Sequence, residues 1–210
     1  MMRLRVKPAM TWRGDERNVG MKPYIILIAG MPASGKTTYG RHLAERLCVP
    51  FVGKDDIKSV LHDELQFDTS KWENFQIFGK VSYGVLTFFV ECLMKGKVSF
   101  VAESNYHPIY AETLSPMLTK YGYRALTVLL DGDTRALHKR FWQRNSTAER
   151  HPGLGQANNF YDDFNYFKAN TELSRDFSVG DKIIMDTTDF AKVNYGEVDK
   201  KVIKFIGGAL

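Results

Sequence analysis

The stretch that most constrains the fold is GMPASGKT, residues 30–37, which follows directly on the apolar run YIILIA at 24–29. A continuous apolar run of this length is typical of a β-strand that is buried on both faces of a parallel sheet. Gly30 and Gly35 permit backbone conformations in which successive N–H groups turn inward and surround an anion at a helix N-terminus. The sequence therefore predicts a strand, an anion-binding loop and a helix in succession.

The spacing GxxxxGKT between a strand and a helix is the P-loop pattern, which binds the phosphates of a nucleoside triphosphate. We expect Lys36 to reach the β- and γ-phosphates and the Thr37 hydroxyl to ligate magnesium, so ATP and Mg²⁺ are the expected cofactors. Thr38 is a weaker candidate for a metal ligand, because it could instead be an ordinary threonine on the helix surface. The predicted nucleotide-binding residues are Gly30, Pro32, Ala33, Ser34, Gly35, Lys36, Thr37 and Thr38.

Short β-branched runs alternate with helical patterns along the rest of the chain. Strands are predicted at 24–29, 50–53, 97–103, 124–131 and 182–186. This alternation favours a parallel sheet covered by helices on both faces, with the functional site at the carboxyl ends of the strands. We predict an α/β fold, the three-layer P-loop NTPase fold, with a five-stranded parallel sheet of order 2-3-1-4-5 and a small helical lid. Residues 72–94 predict a long helix that has Phe75, Phe78, Val85, Phe89 and Cys92 on one side.

The 210-residue length and 44% apolar content favour a single domain, which we place at residues 21–210. Residues 1–20 have five basic and two acidic side chains, a local charge of +3, and no periodicity, so we expect a poorly ordered basic extension. The remaining chain carries +2 of the total +5, which does not favour a nucleic-acid partner. The polar, glycine-bearing segment at 145–160 predicts a lid at about residues 144–160.

The sequence also gives expectations about compartment. Cys48 and Cys92 lie in apolar helical contexts without metal-ligand spacing, so we expect buried thiols in a reducing cytosol. No secretory signal is visible, and the apolar stretch 81–94 is too short to span a bilayer. We therefore expect a cytoplasmic protein without a membrane partner, and the sequence leaves its oligomeric state open.

Two adjacent carboxylates, Asp55 and Asp56, follow the second predicted strand, close to the phosphate loop. A carboxylate near an acceptor hydroxyl can orient it and take its proton during phosphoryl transfer. One of the two could instead cap the helix, since aspartate is preferred there. Lys58, one turn further on, is a candidate for binding substrate charge, and a solvated lysine is the alternative.

Glu103 ends the third predicted strand, and Asn105 follows it. At the tip of a parallel strand near the phosphate loop, Glu103 could assist the magnesium ion from outside its coordination sphere or hold the substrate. Asn105 is a weaker substrate-binding candidate. The helix after the fourth strand carries Arg140 and Arg144 on one face, and a fixed guanidinium can stabilise the charge on a transferred phosphoryl group. Arg144 borders the predicted lid.

The stretches GMPASGKT, KDDIK, AESN and HKRFWQRN together resemble the P-loop kinases related to the 5′-hydroxyl polynucleotide kinase domain, the zeta toxins and chloramphenicol phosphotransferase. This resemblance implies that Asp55 is the acceptor-side base and that Lys58 contacts substrate, where the polynucleotide kinases have arginine. It also implies that Glu103 is the carboxylate after the third strand and that Arg144, one turn after Arg140, is the lid arginine. The adenine would rest near the loop 185–190.

These features predict a phosphotransferase that acts on a hydroxyl of a small-molecule or nucleoside-type acceptor. The predicted catalytic residues are Lys36, Asp55, Arg144 and Arg140, and the predicted substrate-binding residues are Lys58, Glu103 and Asn105. A 5′-hydroxyl polynucleotide kinase and an ATP-binding module without transferase activity remain as alternatives. A regulatory GTPase would need a guanine-recognition motif, which DTTD at 186–189 does not supply because it lacks the lysine. The base preference, ATP or GTP, stays open.

Overall fold

The computed structural model describes residues 22–69, 71–147, 150–154 and 159–207, so the predicted extension at 1–20 lies outside the described residues. One parallel sheet contains β1 Tyr24–Gly30, β2 Phe51–Gly53, β3 Phe100–Glu103, β4 Arg124–Asp131 and β5 Asp181–Asp186. The strand order is β2-β3-β1-β4-β5, which confirms the predicted order and the P-loop NTPase fold class.

Helices connect these strands and cover both faces of the sheet. They are α1 Lys36–Leu47, α2 Lys54–Leu65, α3 Trp72–Lys95, α4 Ile109–Tyr121, α5 Thr134–Asn145, α6 Phe164–Thr171 and α7 Tyr195–Ile206. The Asn194 side chain caps α7 by accepting from the Glu197 N–H at 3.2 Å, a spacing that is visible in the sequence. Asp199 of α7 is buried and accepts from the Tyr39 hydroxyl at 3.0 Å and from Arg46 at 2.7 Å, which joins α7 to α1.

The register of the sheet brings the ends of three strands together. Ile28 of β1 lies opposite Glu103 of β3 and Val128 of β4, and Gly53 of β2 also lies opposite Glu103. Every residue of β1 is buried, because one apolar core lies between the sheet and α3 and a second lies between the sheet and α1. The loops after β1, β2 and β3 therefore share one edge, where polar side chains can meet.

The buried face of α3 differs from the predicted one. The buried residues are Ser82, Leu86, Val90 and Met94, whereas Phe89 is 45% exposed and Cys92 is also exposed. Cys48 is exposed as well, so the expectation of buried thiols was wrong for both cysteines. Among the described residues, α3 is long and apolar enough, by length and composition, to cross a membrane. Its buried row belongs to the core under the sheet.

Candidate active site

The loop between β1 and α1 is shaped for an anion. Gly30 has a φ of 137°, and a Cβ there would lie 2.1 Å from the Leu130 carbonyl oxygen, so only glycine fits. Gly35 has a φ of 90° and Ala33 a φ of 61°. Left-handed residues within a tight loop let several backbone N–H groups point to one side. The loop therefore matches the phosphate cradle that the sequence predicts.

Two side chains of this loop, Lys36 and Ser34, are placed to bind an anion. Lys36 is 6% exposed, and its Nζ donates to the Met31 carbonyl oxygen at 2.8 Å. Burial lowers the pKa of Lys36, and the nearby Glu103 carboxylate offsets part of this effect. The Ser34 Oγ is buried and has no hydrogen-bond partner among the described residues. Phosphate oxygens would satisfy both groups, so these residues fit a bound triphosphate.

Thr37 and Glu103 together form a candidate metal site. The Thr37 hydroxyl donates to Glu103 Oε2 at 3.1 Å. Glu103 is 3% exposed, and burial, together with the charge of Asp55, raises its pKa to about 7. Hydroxyl and carboxylate oxygens are the ligands that Mg²⁺ prefers, so these residues fit the metal that the P-loop pattern implies. A bound Mg²⁺ would supply positive charge to the phosphates.

The two aspartates after β2 have different surroundings. Gly53 precedes α2, and among the described residues no side chain caps this helix, so neither aspartate has the alternative capping role. Asp56 accepts from Arg41 Nη2 at 2.7 Å on the protein surface. Asp55 lines the cavity in front of the phosphate loop. The structure therefore separates a surface ion pair from a carboxylate that faces the cleft.

Asp55 is held in its ionised form. Burial alone would raise its pKa, but the cations of Lys54, Arg150 and Lys36 hold the pKa below its ordinary value. An ionised carboxylate can accept a hydrogen bond from a hydroxyl and take its proton as the oxygen bonds to phosphorus. The position and the charge of Asp55 are both suited to this step.

Lys58 is a buried cation at the same cavity. It is 4% exposed, and its Nζ lies 3.5 Å from the centre of the Phe75 ring. Burial, together with the neighbouring Lys54 cation, lowers the pKa of Lys58 to about 7. Within the described part of the chain, no ion pair involves this ammonium group. Burying an unpaired cation is costly, so the site gains from an anionic ligand.

Arg144 and Arg150 approach the cavity from the lid side. Arg144 lies in the last turn of α5, and burial lowers its pKa while Asp55 and Glu103 offset part of this effect. Burial and the neighbouring Arg144 lower the pKa of Arg150 to about 10. Arg150 was not predicted as a site residue, because the sequence marks it only as one basic residue within the polar segment. Two guanidinium groups therefore border the cavity.

The Arg140 side chain contacts the loop after β5 instead of the cavity. Its Nη2 donates to the carbonyl oxygen of Thr187 at 2.6 Å and to that of Thr188, in the loop after β5. Its guanidinium carbon lies 4.0 Å from the centre of the Phe190 ring, and this ring lies against the phosphate loop at Gly35. Arg140 thus does not join Arg144 at the cavity, in contrast to its predicted catalytic role. Its contacts are those of a positioning residue for the loop beside the phosphates.

The described part of the lid packs directly on α2. A Cβ on Gly153, in the 3-10 turn Pro152–Leu154, would lie 2.5 Å from the His62 Cβ. His151 Nε2 lies 3.1 Å from Asp63 Oδ1, and the Gly153 N–H donates to His151 Nδ1 at 3.1 Å. Since Nδ1 accepts, the ring proton lies on Nε2 and points to Asp63. His62, Asp63 and His151 are close enough to one another to hold a cation. The contact of His151 with Asp63 accounts for the approach of these two residues, whereas His62 Nδ1 is buried and has no hydrogen-bond partner among the described residues.

A single cavity of about 230 Å³ connects these groups. Of the predicted residues it contacts Pro32, Ala33, Gly35, Lys36, Thr37, Thr38, Asp55, Lys58, Glu103, Asn105 and Arg144. It also contacts residues that the sequence did not single out as site residues, namely Lys54, Phe75, Ser104, His107, Tyr110, Phe141, Arg150, Leu154, Tyr161, Asn170 and Thr171. Among the described residues, the cavity thus joins the phosphate loop, the start of α2, the end of β3 and the lid.

Residues 25–158 match a family model described as an AAA domain. The chain belongs to this AAA domain family. The match covers the phosphate loop, the aspartates after β2, Glu103 and Arg144, which are the parts of the AAA domain that meet at the cavity. No curated protein matches the chain. The narrower resemblance to polynucleotide kinases and zeta toxins stays a prediction.

Solved structures share the fold of this AAA domain. A candidate kinase from Chloroflexus aurantiacus is 22% identical and superposes with a TM-score of 0.77; the match covers 87% of this chain and 98% of the kinase chain. A sugar kinase from Janibacter sp. is 14% identical with a TM-score of 0.53, covering 89% of this chain and 96% of its own. A gluconokinase from Sinorhizobium meliloti is 15% identical with a TM-score of 0.52, covering 89% and 93% respectively. The fold is thus one that kinases use.

Proposed function

We propose that the protein is an ATP-dependent kinase that transfers the γ-phosphoryl group to a hydroxyl of a small-molecule or nucleoside-type acceptor. The observation that supports this most is that Asp55 and Arg144 line the same cavity as Lys36 and Thr37. A protein that only holds ATP needs the phosphate loop but gains nothing from an ionised carboxylate and an arginine in front of it. Their convergence favours a transferase over a binding module.

Each residue then has one task in the transfer. Lys36 and the loop N–H groups hold the β- and γ-phosphates, and Asp55 accepts the proton of the acceptor hydroxyl. The hydroxyl oxygen bonds to the γ-phosphorus while the bond from that phosphorus to the β,γ-bridging oxygen breaks, and ADP carries away the electron pair. Arg144 stabilises the negative charge that spreads over the γ-phosphoryl oxygens. The hydroxyl acceptor is part of the proposal.

The charge of the cavity favours an acceptor that carries a negative group. The cationic side chains at the cavity are Lys36, Lys54, Lys58, Arg144 and Arg150, and the carboxylates are Asp55 and Glu103. With Lys36 and Arg144 assigned to the triphosphate, the α2 side of the cavity still holds the buried Lys58 cation. A phosphate or carboxylate near the acceptor hydroxyl would pair with this cation.

The acceptor can be identified by a transfer screen with γ-labelled ATP and Mg²⁺. The panel contains neutral sugars, sugar acids and phosphates, nucleosides, nucleotides and a 5′-hydroxyl oligonucleotide, and Lys36→Ala is the blank. We expect labelled product from an anionic small hydroxyl compound and none with the variant. Transfer to the oligonucleotide alone would make the protein a polynucleotide kinase. The binding module would be supported if the protein bound ATP, transferred phosphate to no compound in the panel, and hydrolysed ATP at the same rate with and without Asp55→Asn.

A further inference from the structure

The outer face of α3 carries an apolar stripe. Ile77, Val81 and Phe88 are 54%, 41% and 63% exposed, and none of them belongs to the core clusters. Together with Gly84 they follow a four-three-four spacing, which places them on one side of the helix. A Cβ on Gly84 would have no heavy atom of the described residues within 4 Å. A second helix could therefore approach this face closely.

Charged residues lie along the same face in an alternating order. From the N-terminal end they are Glu73, Lys80, Glu91 and Lys95. Glu73 precedes Gly84 by eleven residues and Lys95 follows it by eleven, while Lys80 precedes it by four and Glu91 follows it by seven. Reversing the direction of the helix thus exchanges the positions of Glu73 and Lys95 and brings Lys80 within three positions of Glu91, so the face is complementary in charge to an antiparallel copy of itself.

We propose that α3 forms the interface of a homodimer, in which two copies of α3 pack antiparallel with Gly84 facing Gly84 of the second copy. In this register Val81 lies beside Phe88 of the second copy, and the reverse contact forms by symmetry. Glu73 lies opposite Lys95 of the second copy, and Lys80 lies within one turn of Glu91. The apolar stripe forms the water-free centre of the interface. The charged residues form its rim and favour the antiparallel orientation of the two helices.

The charge pattern selects a second copy over a membrane surface. Lys95 and Glu91 already pair within the helix at 3.3 Å, and Glu91 also accepts from the Tyr121 hydroxyl at 2.5 Å. Inserting this face into lipid would bury Glu73, Lys80 and these paired groups, which is costly. An antiparallel partner instead leaves them at the rim with opposite charges nearby.

The interface can be tested by sedimentation velocity on the full chain across a range of concentrations. We expect a dimer for the wild type and a monomer for Phe88→Glu, which places a charge in the stripe, beside Val81 of the second copy. Ile184→Glu is the matched control, because Ile184 is 62% exposed on β5 and lies outside α3. This variant is expected to remain a dimer. Circular dichroism checks that each variant retains its helices.

Charge reversal tests the antiparallel register even if Phe88→Glu fails to fold. Glu73→Lys and Lys95→Glu each place like charges opposite one another, and we expect each to weaken dimerisation by about tenfold. The double variant restores opposite charges and should recover most of the wild-type affinity. A wild type that stays monomeric, a dimer that Phe88→Glu leaves intact, or a double variant as weak as the singles would overturn the proposal. Binding of monomers to phosphatidylcholine vesicles through Phe88 would also overturn it.

Discussion

The Thr37 hydroxyl at the start of α1 donates to Glu103 Oε2 at the end of β3, with 3.1 Å between the two oxygens. These residues are 66 positions apart in the chain. They meet because β1 and β3 are adjacent and parallel, with Ile28 opposite Glu103, so both strands end at the same edge. This oxygen pair beside the phosphate loop could hold a magnesium ion, which would supply positive charge to bound phosphates.

The first prediction concerns this pair. Thr37→Ala removes one oxygen of the pair, and we expect the Mg²⁺ concentration needed for half-maximal ATP turnover to rise about 10- to 100-fold. Thr38→Ala is the matched control, since Thr38 is exposed and its hydroxyl does not contact Glu103. Magnesium titrations of ATP turnover measure both variants. An equal rise in the two variants would mean that the Thr37 hydroxyl has no special part in metal binding.

The second prediction follows from the pKa of Lys58, which lies at about 7 in the folded protein against an ordinary value of 10.5. The unfolded chain therefore binds more protons than the folded one between these pH values, so Lys58 makes stability rise with pH in this window. Lys58→Met lacks the buried cation, and we expect its melting temperature to exceed that of the wild type more at about pH 6 than at about pH 9. A gain independent of pH would contradict the assigned cause.

The same residue gives a prediction about substrate affinity. Because folded Lys58 loses its charge as the pH rises through about 7, we expect the wild type to bind a negatively charged acceptor more weakly above that pH. The Lys58→Met variant should bind the acceptor weakly at every pH and without this dependence. Acceptor KM values for both proteins, measured across the pH range, make the comparison. A wild-type KM that falls with rising pH would oppose an anionic acceptor.

The fourth prediction separates the two arginines of α5. Arg144→Ala should lower kcat by about 10²- to 10³-fold with little change in ATP affinity, because its charge is needed in the transition state. Arg140→Ala should mainly weaken ATP binding, because Arg140 holds the Thr187 and Thr188 carbonyls of the loop beside the phosphates. ATP binding and turnover are measured for each variant. If Arg144→Ala mainly weakened ATP binding and Arg140→Ala mainly lowered kcat, the assigned roles of the two arginines would be exchanged.

The sheet could be predicted because its signals are local. The apolar run of β1, the GxxxxGKT spacing and the alternation of strands and helices predict a parallel sheet with a phosphate loop after its first strand. The strand order follows from the resemblance of these motifs to P-loop kinases. Asp55, Glu103 and Arg144 could be selected because residues at strand ends and at the lid border share one edge of such a sheet. The cavity contains all three of them.

Other features depended on tertiary contacts that the sequence does not mark. Arg140 and Arg144 share a helix face, but their long side chains reach different partners, and Arg140 binds carbonyl groups of the loop after β5. The buried row of α3 includes Ser82, and apolar residues occur around the whole helix, so periodicity could not identify the inner face. Arg150 lies at the cavity because of the lid packing, which no local pattern indicates.

The most direct test of the proposed mechanism compares the two adjacent aspartates. ATP affinity and phosphoryl-transfer turnover are measured for Asp55→Asn and Asp56→Asn, which make the same change at a cleft carboxylate and at the partner of Arg41. We predict that both variants bind ATP as the wild type does, and that only Asp55→Asn loses transfer, by at least about 10²-fold. Full turnover in Asp55→Asn would contradict the assignment of Asp55 as the acceptor-side base.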